Sequence, residues 1–214
     1  MFDLADIRQL FSLLRATYSQ HTDALNALDG EVGDGDHGYT ISRAFLAAEQ
    51  AAQADVRHCG ELFDAVSEAL AASAGGAIGP LLAAFFAEGG VLFKGKQSLE
   101  VVDVAALFAG GTRAVQDVGG AKPGDKTMID ALLPASHALS VYEGSSLQEA
   151  LTLAAEAAAD GAEATREMVA AHGRGHFLGD RSRGYQDAGA TSMAFLVEAF
   201  RDAAAGSRVD LLKE

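Results

Sequence analysis

Residues 4–29 read LADIRQLFSLLRATYSQHTDALNALD. Leu4, Ile7, Phe11, Leu14, Tyr18, His21, Leu25 and Leu28 recur three and four positions apart in alternation. That spacing lays them along one stripe of an α-helix and on no single face of a strand. The stretch therefore predicts one long amphipathic helix that buries this stripe and delivers Asp29 at its carboxyl end. A second helix is expected from Asp36, as N-cap, to about Ala54. Similar patterns predict helices over roughly 60–73, 80–93, 100–118, 127–142, 146–171 and 189–205, about eight in all. No alternating strand pattern separates them. The fold class is all-α, and the length of 214 residues suits one domain over 1–214.

Immediately after the first helix comes Asp29-Gly30-Glu31-Val32-Gly33-Asp34-Gly35-Asp36-His37-Gly38. Carboxylates this close repel one another unless a cation or strong donors compensate. Aspartate oxygens are hard ligands suited to Mg²⁺ or Ca²⁺, and the glycines let the backbone turn tightly enough to aim them at one point. A solvated acidic turn is the plain alternative. Asp29 upstream and His37-Gly38 downstream favour a metal site formed by Asp29, Asp34 and Asp36. The segment is not an EF-hand, because position twelve counted from Asp34 is Phe45 rather than glutamate.

The formal net charge of -14 argues against nucleic acid or an anionic membrane as partner. It would also repel a phosphate ligand, unless bound metal inverts the field locally. Cys59 is the single cysteine, so no intrachain disulfide is expected and a cytoplasmic setting is the simplest. Asp3 and Asp6 before Arg8 are unlike a signal peptide. The apolar run Leu81–Phe93 is interrupted by Glu88 and is too short to span a bilayer.

Three glycine-rich loops each precede a predicted helix: the acidic segment, Gly75-Gly76-Ala77-Ile78-Gly79-Pro80, and Gly119-Gly120-Ala121-Lys122-Pro123-Gly124-Asp125-Lys126-Thr127. Helix amino ends bind anions through free N–H groups and the helix dipole, and glycine removes the side chain that would block approach. Each loop alone reads as a turn. Together with the acidic cluster they form the pattern that Mg²⁺-nucleotide binding requires. Gly90–Gln97 is not a P-loop, since Gln97 stands where a hydroxyl is needed and no strand precedes it. Gly173-Arg174-Gly175 lacks the context of a dinucleotide fingerprint. The long segment from His172 to Ala188 carries Arg174, Arg181 and Arg183. One or two of these, or of Lys122 and Lys126, are expected to reach phosphate oxygens, the rest being solvated. His37 could bond a phosphate or the metal shell. His21 reads as a partly buried histidine, and Met128 and Met193 as flanks of a planar base or as packing. His58, His137, His172 and His176 follow no pattern.

Taken as a series, these motifs resemble the nucleotide-binding L subunits of dihydroxyacetone kinases, the DhaL or DAK2-domain family. The matching pieces are Leu28–Gly38, Gly75–Leu81, Lys122–Met128, Leu178–Ser182 and Gln186–Ser192. They occur in the family's order and cover nearly the whole chain. The resemblance implies a closed barrel of eight antiparallel helices with a nucleotide site at one rim. It implies two Mg²⁺ ions held by Asp29, Asp34 and Asp36, bridging the phosphates of ADP or ATP. By motif position, His37, Gly38, Tyr39, Thr40, Ala77, Ile78, Gly119, Met128, Arg174, Asp187, Ala188 and Gly189 would contact the nucleotide. Ile78 stands where relatives commonly carry serine, Ala188 where proline is usual, and Tyr39-Thr40 where a Leu-Asn pair is seen. These changes imply a lost hydroxyl contact and a looser loop.

The activity implied is that of a phosphoryl-donor subunit with no catalytic residue apart from the metal site. Its partner would be a K-type subunit that holds a short-chain ketose such as dihydroxyacetone. In some systems a phosphotransferase-system M-type subunit rephosphorylates ADP in place; in others ATP exchanges. A homodimer is a further arrangement within this reading. Alternatives are a kinase subunit for a tetrulose or a fatty acid, and a non-catalytic nucleotide-sensing bundle. Intact ligands at Asp29, Asp34 and Asp36 favour an enzyme over a sensor.

Overall fold

The computed structural model describes residues 2–73 and 76–206. Gly75, at the head of the second glycine-rich motif, lies outside the described residues. Among the described residues the α-helices are α1 (Leu4–Gln20), α2 (Thr22–Val32), α3 (His37–Ala52), α4 (Cys59–Ser73), α5 (Ile78–Leu92), α6 (Val101–Gly119), α7 (Ile129–Ser140), α8 (Leu147–Ala164) and α9 (Ala188–Ala204). Each helix packs on the next, and α9 closes the ring on α1. Because α1 and α2 form one broken stave, the ring has the eight-helix, antiparallel order expected. No described helix is long and apolar enough to cross a membrane.

The first stave breaks at His21, where the apolar period predicts continuity. The carbonyl of Tyr18 accepts hydrogen bonds from the hydroxyls of Thr22 and Ser42, each at 2.8 Å. Side-chain donors thus take an acceptor that the helix ladder would use. His21 stacks on Phe195 with ring centroids 4.6 Å apart, which keeps the stripe buried across the break. The predicted helix over 146–171 is also shorter. It ends at Ala164 in a 3-10 turn, Thr165–Glu167, after which Met168 is extended. A two-residue antiparallel pairing, β1 (Phe2–Asp3) with β2 (Ser98–Leu99), ties the amino end to the start of α6. It is too short to leave an alternating signature.

Phenylalanines fill the ring interior. Phe86 meets Phe11 at 5.4 Å, Phe85 meets Phe108 at 5.4 Å, and Phe108 meets Phe200 at 5.2 Å. Since the staves alternate in direction, the amino ends of α3, α5, α7 and α9 share one rim with the carboxyl ends of α2, α4, α6 and α8. The described residues of all three glycine-rich loops lie on that rim.

Candidate metal and nucleotide site

Asp29 lies in the last turn of α2, and the chain turns back through Gly33–Asp36 into α3. Asp29 Oδ2 accepts from the backbone N–H of Asp36 at 3.0 Å and of His37 at 3.4 Å. The carboxylate therefore sits at the positive end of the α3 dipole. Asp36 holds the N-cap position as expected, but its side chain makes no capping bond. Its carboxylate is free to face Asp34. One oxygen from each of Asp29, Asp34 and Asp36 lies within 4.8 Å of the other two. Glu31 is not in this group.

Arg174 closes the cluster from the far end of the chain. Its Nη2 lies 2.6 Å from Asp34 Oδ2. Three carboxylates against one guanidinium leave a net negative charge in a set of hard oxygen donors. That donor set fits a divalent cation such as Mg²⁺.

His37, the first residue of α3, points its ring toward α9. Nε2 lies 3.1 Å from Ser192 Oγ, and that hydroxyl donates to the Gly189 carbonyl at 2.8 Å. Ser192 must then accept, so His37 carries its proton on Nε2. Burial lowers the His37 pKa below the usual imidazole value, against the raising pull of Asp29 and Asp36. The ring is neutral at pH 7, with Nδ1 available as an acceptor. A Cβ at the next residue, Gly38, would stand 2.1 Å from the Thr22 carbonyl oxygen. Glycine there permits the close approach of α2 and α3 that sets the cluster's geometry. Asn26 contributes from α2 by accepting from the Tyr39 N–H at 3.2 Å. Tyr39 is exposed, and Thr40 is half-buried.

The other amino ends differ from those at the opposite rim. Ala77 before α5 and Met128 before α7 make no side-chain capping bond. On the opposite rim α1 and α6 begin with capping boxes, Asp3 with Asp6 and Glu100 with Asp103, and Ser146 caps α8. On the near rim α9 is capped by Asp187, whose Oδ2 accepts from Ala190 N–H at 2.7 Å, and the Thr127 hydroxyl accepts from Ile129 N–H at 3.3 Å at the start of α7. Burial pushes the Asp187 carboxyl up to about 6, with the Ala190 N–H and Lys126 opposing. Met128, Asp187 and Gly189 converge: a Cβ on Gly189 would lie 3.2 Å from Met128 Cγ and 3.0 Å from Asp187 Oδ2. Ala188 is buried beside them. The Ile78 side chain is buried as well, leaving its backbone as the group it offers the rim. Exposed Ala77 and Gly119 lie on the α5–α6 arc, where Leu81 Cδ2 would stand 3.0 Å from a Cβ on Gly119. The rim thus gathers Asp29, Asp34, Asp36, His37 and Arg174 as one group, and Met128, Asp187 and Gly189 as a second. Ser192 joins them, while Ala77, Ile78 and Gly119 lie across the ring.

The long segment before α9 is ordered by its own polar contacts. The Ser182 hydroxyl accepts from Ala170 N–H at 2.9 Å and donates to Gly179 O at 2.7 Å. Arg183 donates to the Glu167 carbonyl at 2.8 Å, which takes it out of the set of phosphate-reaching candidates. His172 Nε2 bonds Asp125 Oδ2 at 3.0 Å, joining this segment to the 122–128 loop. Asp130 organises that loop by accepting from Gly124 N–H at 2.6 Å and Thr127 N–H at 2.8 Å. Lys126 also departs from expectation. Its ammonium is buried and bonded to the Thr165 and Tyr185 carbonyls, so it does not face a phosphate. Phe177 is 87% exposed, three residues from Arg174.

The chain is similar to known proteins over most of its length. The family model described as the DAK2 domain matches residues 31–202. The ADP-binding subunit DhaL of the PEP-dependent dihydroxyacetone kinase of Escherichia coli (strain K12) is 36% identical over 185 residues, 85% of this chain and 88% of that subunit. L-erythrulose 1-kinase of Mycolicibacterium smegmatis is 36% identical over 178 residues, but this chain spans only 31% of its length. The crystal structure of the dihydroxyacetone kinase from C. freundii in complex with AMP-PNP and Mg²⁺ superposes with a TM-score of 0.72 at 32% identity, over 92% of this chain and 34% of that one.

Proposed function

The chain belongs to the DAK2-domain family, and from that premise we propose that it is the nucleotide-binding, phosphoryl-donor subunit of a two-component ketose kinase. The observation that carries the reading is the convergence of Asp29, Asp34 and Asp36 at the amino end of α3. It lies on the rim where α5 starts without a side-chain cap. In this reading the three aspartates hold two Mg²⁺ ions, which when bound supply neutralisation of charge on the transferring phosphoryl group. The amino end of α5, which has no side-chain cap, receives phosphate oxygens. His37 stays neutral and fixes the α3–α9 junction, while Arg174 moves its guanidinium from Asp34 to a phosphate. Met128, Asp187, Ala188 and Gly189 form one edge of the nucleotide site, and Ala77, Ile78 and Gly119 the other, with Gly38, Tyr39 and Thr40 at the metal end.

The acceptor hydroxyl is brought by a separate K-type subunit that carries dihydroxyacetone or a related short-chain ketose. Holding that hydroxyl in line with the phosphorus can supply roughly 7–11 kcal/mol of the barrier, so the chain alone should hydrolyse nucleotide slowly at most. Recharging of bound ADP by an M-type phosphotransferase subunit is the donor route consistent with the similarity to the E. coli ADP-binding subunit. A second reading, a tetrulose acceptor, is favoured by the likeness to L-erythrulose 1-kinase. It changes the partner and leaves this chain's site as described. The test is to incubate the purified chain with Mg-ATP and dihydroxyacetone or erythrulose, with and without a K-type subunit, and to measure sugar phosphate. Formation only with both proteins is expected; turnover by the chain alone would overturn the two-component reading.

A further inference from the structure

Lys126 has no role in the site as assembled so far, yet its setting is costly. The residue is 2% exposed, and its φ of 62° is the one left-handed value among described non-glycine residues. Glycine would adopt that backbone without strain. Burial lowers the Lys126 pKa, with the Asp187 charge opposing. A strained backbone and a desolvated ammonium persist together only where the surroundings fix both.

What the ammonium does is visible in its bonds. It donates to the Thr165 carbonyl at 2.7 Å, at the carboxyl end of α8, and to the Tyr185 carbonyl. The Thr165 hydroxyl accepts from Asp187 N–H at 2.9 Å, and Asp187 in turn caps α9. Two residues beyond Lys126, Met128 starts α7 and lies against Gly189. Both ends of this tie therefore lead to the rim. The helices themselves are held together by buried Ile129, Leu132, Leu151 and Leu196, an apolar core independent of the lysine.

We infer that Lys126 is a positioning residue, whose ammonium sets the spacing between the amino ends of α7 and α9. It thereby fixes the edge of the nucleotide site formed by Met128 and Asp187–Gly189. The inference rests on the nucleotide-binding reading above. It separates Lys126 from the metal ligands, which lie on α2 and on the turn between α2 and α3.

The test compares Lys126→Met, Lys126→Arg and Thr165→Val with the parent chain. ADP affinity in excess Mg²⁺ is measured by calorimetry, Mn²⁺ binding without nucleotide by paramagnetic resonance, and folding by thermal melting. Lys126→Met should weaken ADP binding by about tenfold or more, as misplaced binding groups do, while Mn²⁺ affinity stays within about twofold. Lys126→Arg should recover part of the loss. Thr165→Val keeps the lysine and its carbonyl bond but cuts the link to Asp187; it should weaken ADP binding several-fold. Folded Lys126→Met with parental ADP affinity, or with equal losses of ADP and Mn²⁺, would overturn the inference. If Lys126→Met does not fold, unchanged ADP affinity in Thr165→Val overturns it. A parent chain that binds no ADP would overturn the nucleotide reading itself, a result read from the control alone.

Discussion

Arg174 and Asp34 are 140 positions apart in the chain, and their side chains meet at 2.6 Å. The guanidinium supplies the acidic cluster with the only cationic partner it has among the described ion pairs. It also holds the long segment before α9 against the end of α2, where a Cβ added to Gly175 would lie 3.6 Å from Val32 Cβ. The same arginine can compensate the carboxylates or bond a phosphate, and a metal–nucleotide complex would exchange the first partner for the second.

Arg174→Ala should therefore affect two ligands in opposite directions. ADP affinity in Mg²⁺ should fall by roughly 1.5–3 kcal/mol, the range for a hydrogen bond to a charged group. Mn²⁺ binding without nucleotide should strengthen, because Asp34 is released from its pair. Ligand-free stability should change little, since the side chain is largely exposed and such pairs contribute little. Calorimetry with each ligand decides it. Unchanged ADP affinity would return Arg174 to the solvated charges.

Asp34→Asn tests the cluster from the other side. It removes one charge and little volume, and it also unpairs Arg174. Nucleotide affinity should collapse toward the value measured for the parent in EDTA. The two treatments should not add, because both remove the same metal. Tight ADP binding by the parent in EDTA would argue that the aspartates serve another purpose.

The parts of this site that could be read from sequence are local ones. Asp29, Asp34 and Asp36 fall within one turn-rich segment, so spacing alone brings them together. Glycine punctuation and apolar period likewise located most helices. The break at His21 was hidden because Tyr18, His21 and Leu25 stay on one face on both sides of it; the Tyr18 carbonyl there is taken by two hydroxyls, of Thr22 and of Ser42 on α3. The end of α8 was hidden in an alanine run with no stop signal, since the carbonyl of its cap, Thr165, is taken by Lys126 from a distant loop. Asn26 and Asp130 carry no motif of their own, and Ser192 closes the Gln186–Ser192 piece with no role assigned to it; their roles appear only when helices meet. Lys126 looked like a phosphate ligand because a loop lysine is usually solvated, and nothing local signals that this one turns inward.

Gly38→Ala should be among the most damaging small substitutions. The new methyl would meet the Thr22 carbonyl oxygen at 2.1 Å and Asn26 Oδ1 at 2.9 Å. Backbone cannot yield as a side chain does, so α3 must move away from α2. Overpacking of this kind typically costs about 1–3 kcal/mol. Asp29 is on one helix and its donors Asp36 and His37 lead into the other, so metal affinity should fall with stability. Thermal melting and Mn²⁺ titration together check this; an unchanged melting temperature would mean that the two helices are not in the contact described.

Asp187 gives the pH dependence a sign. Its carboxyl stands at about 6 in the folded chain against an ordinary value of 3.8, chiefly through burial, with Asp130 and Asp29 adding to the shift. The folded chain thus holds this proton more tightly than the unfolded chain. The group's contribution to stability is full below about pH 4 and is lost as pH rises through about 6. Asp187→Asn keeps a capping acceptor for Ala190 N–H, since asparagine caps about as well as aspartate, but it does not ionise. Urea unfolding of parent and variant should therefore diverge with pH. Between about pH 4 and 6 the variant should gain on the parent by at most about 1.4 kcal/mol per pH unit, the limit for one proton, with no further change above that window. A difference that stays constant from pH 4 to 7 would mean that Asp187 is ionised throughout and that its burial is relieved by neighbours such as Lys126.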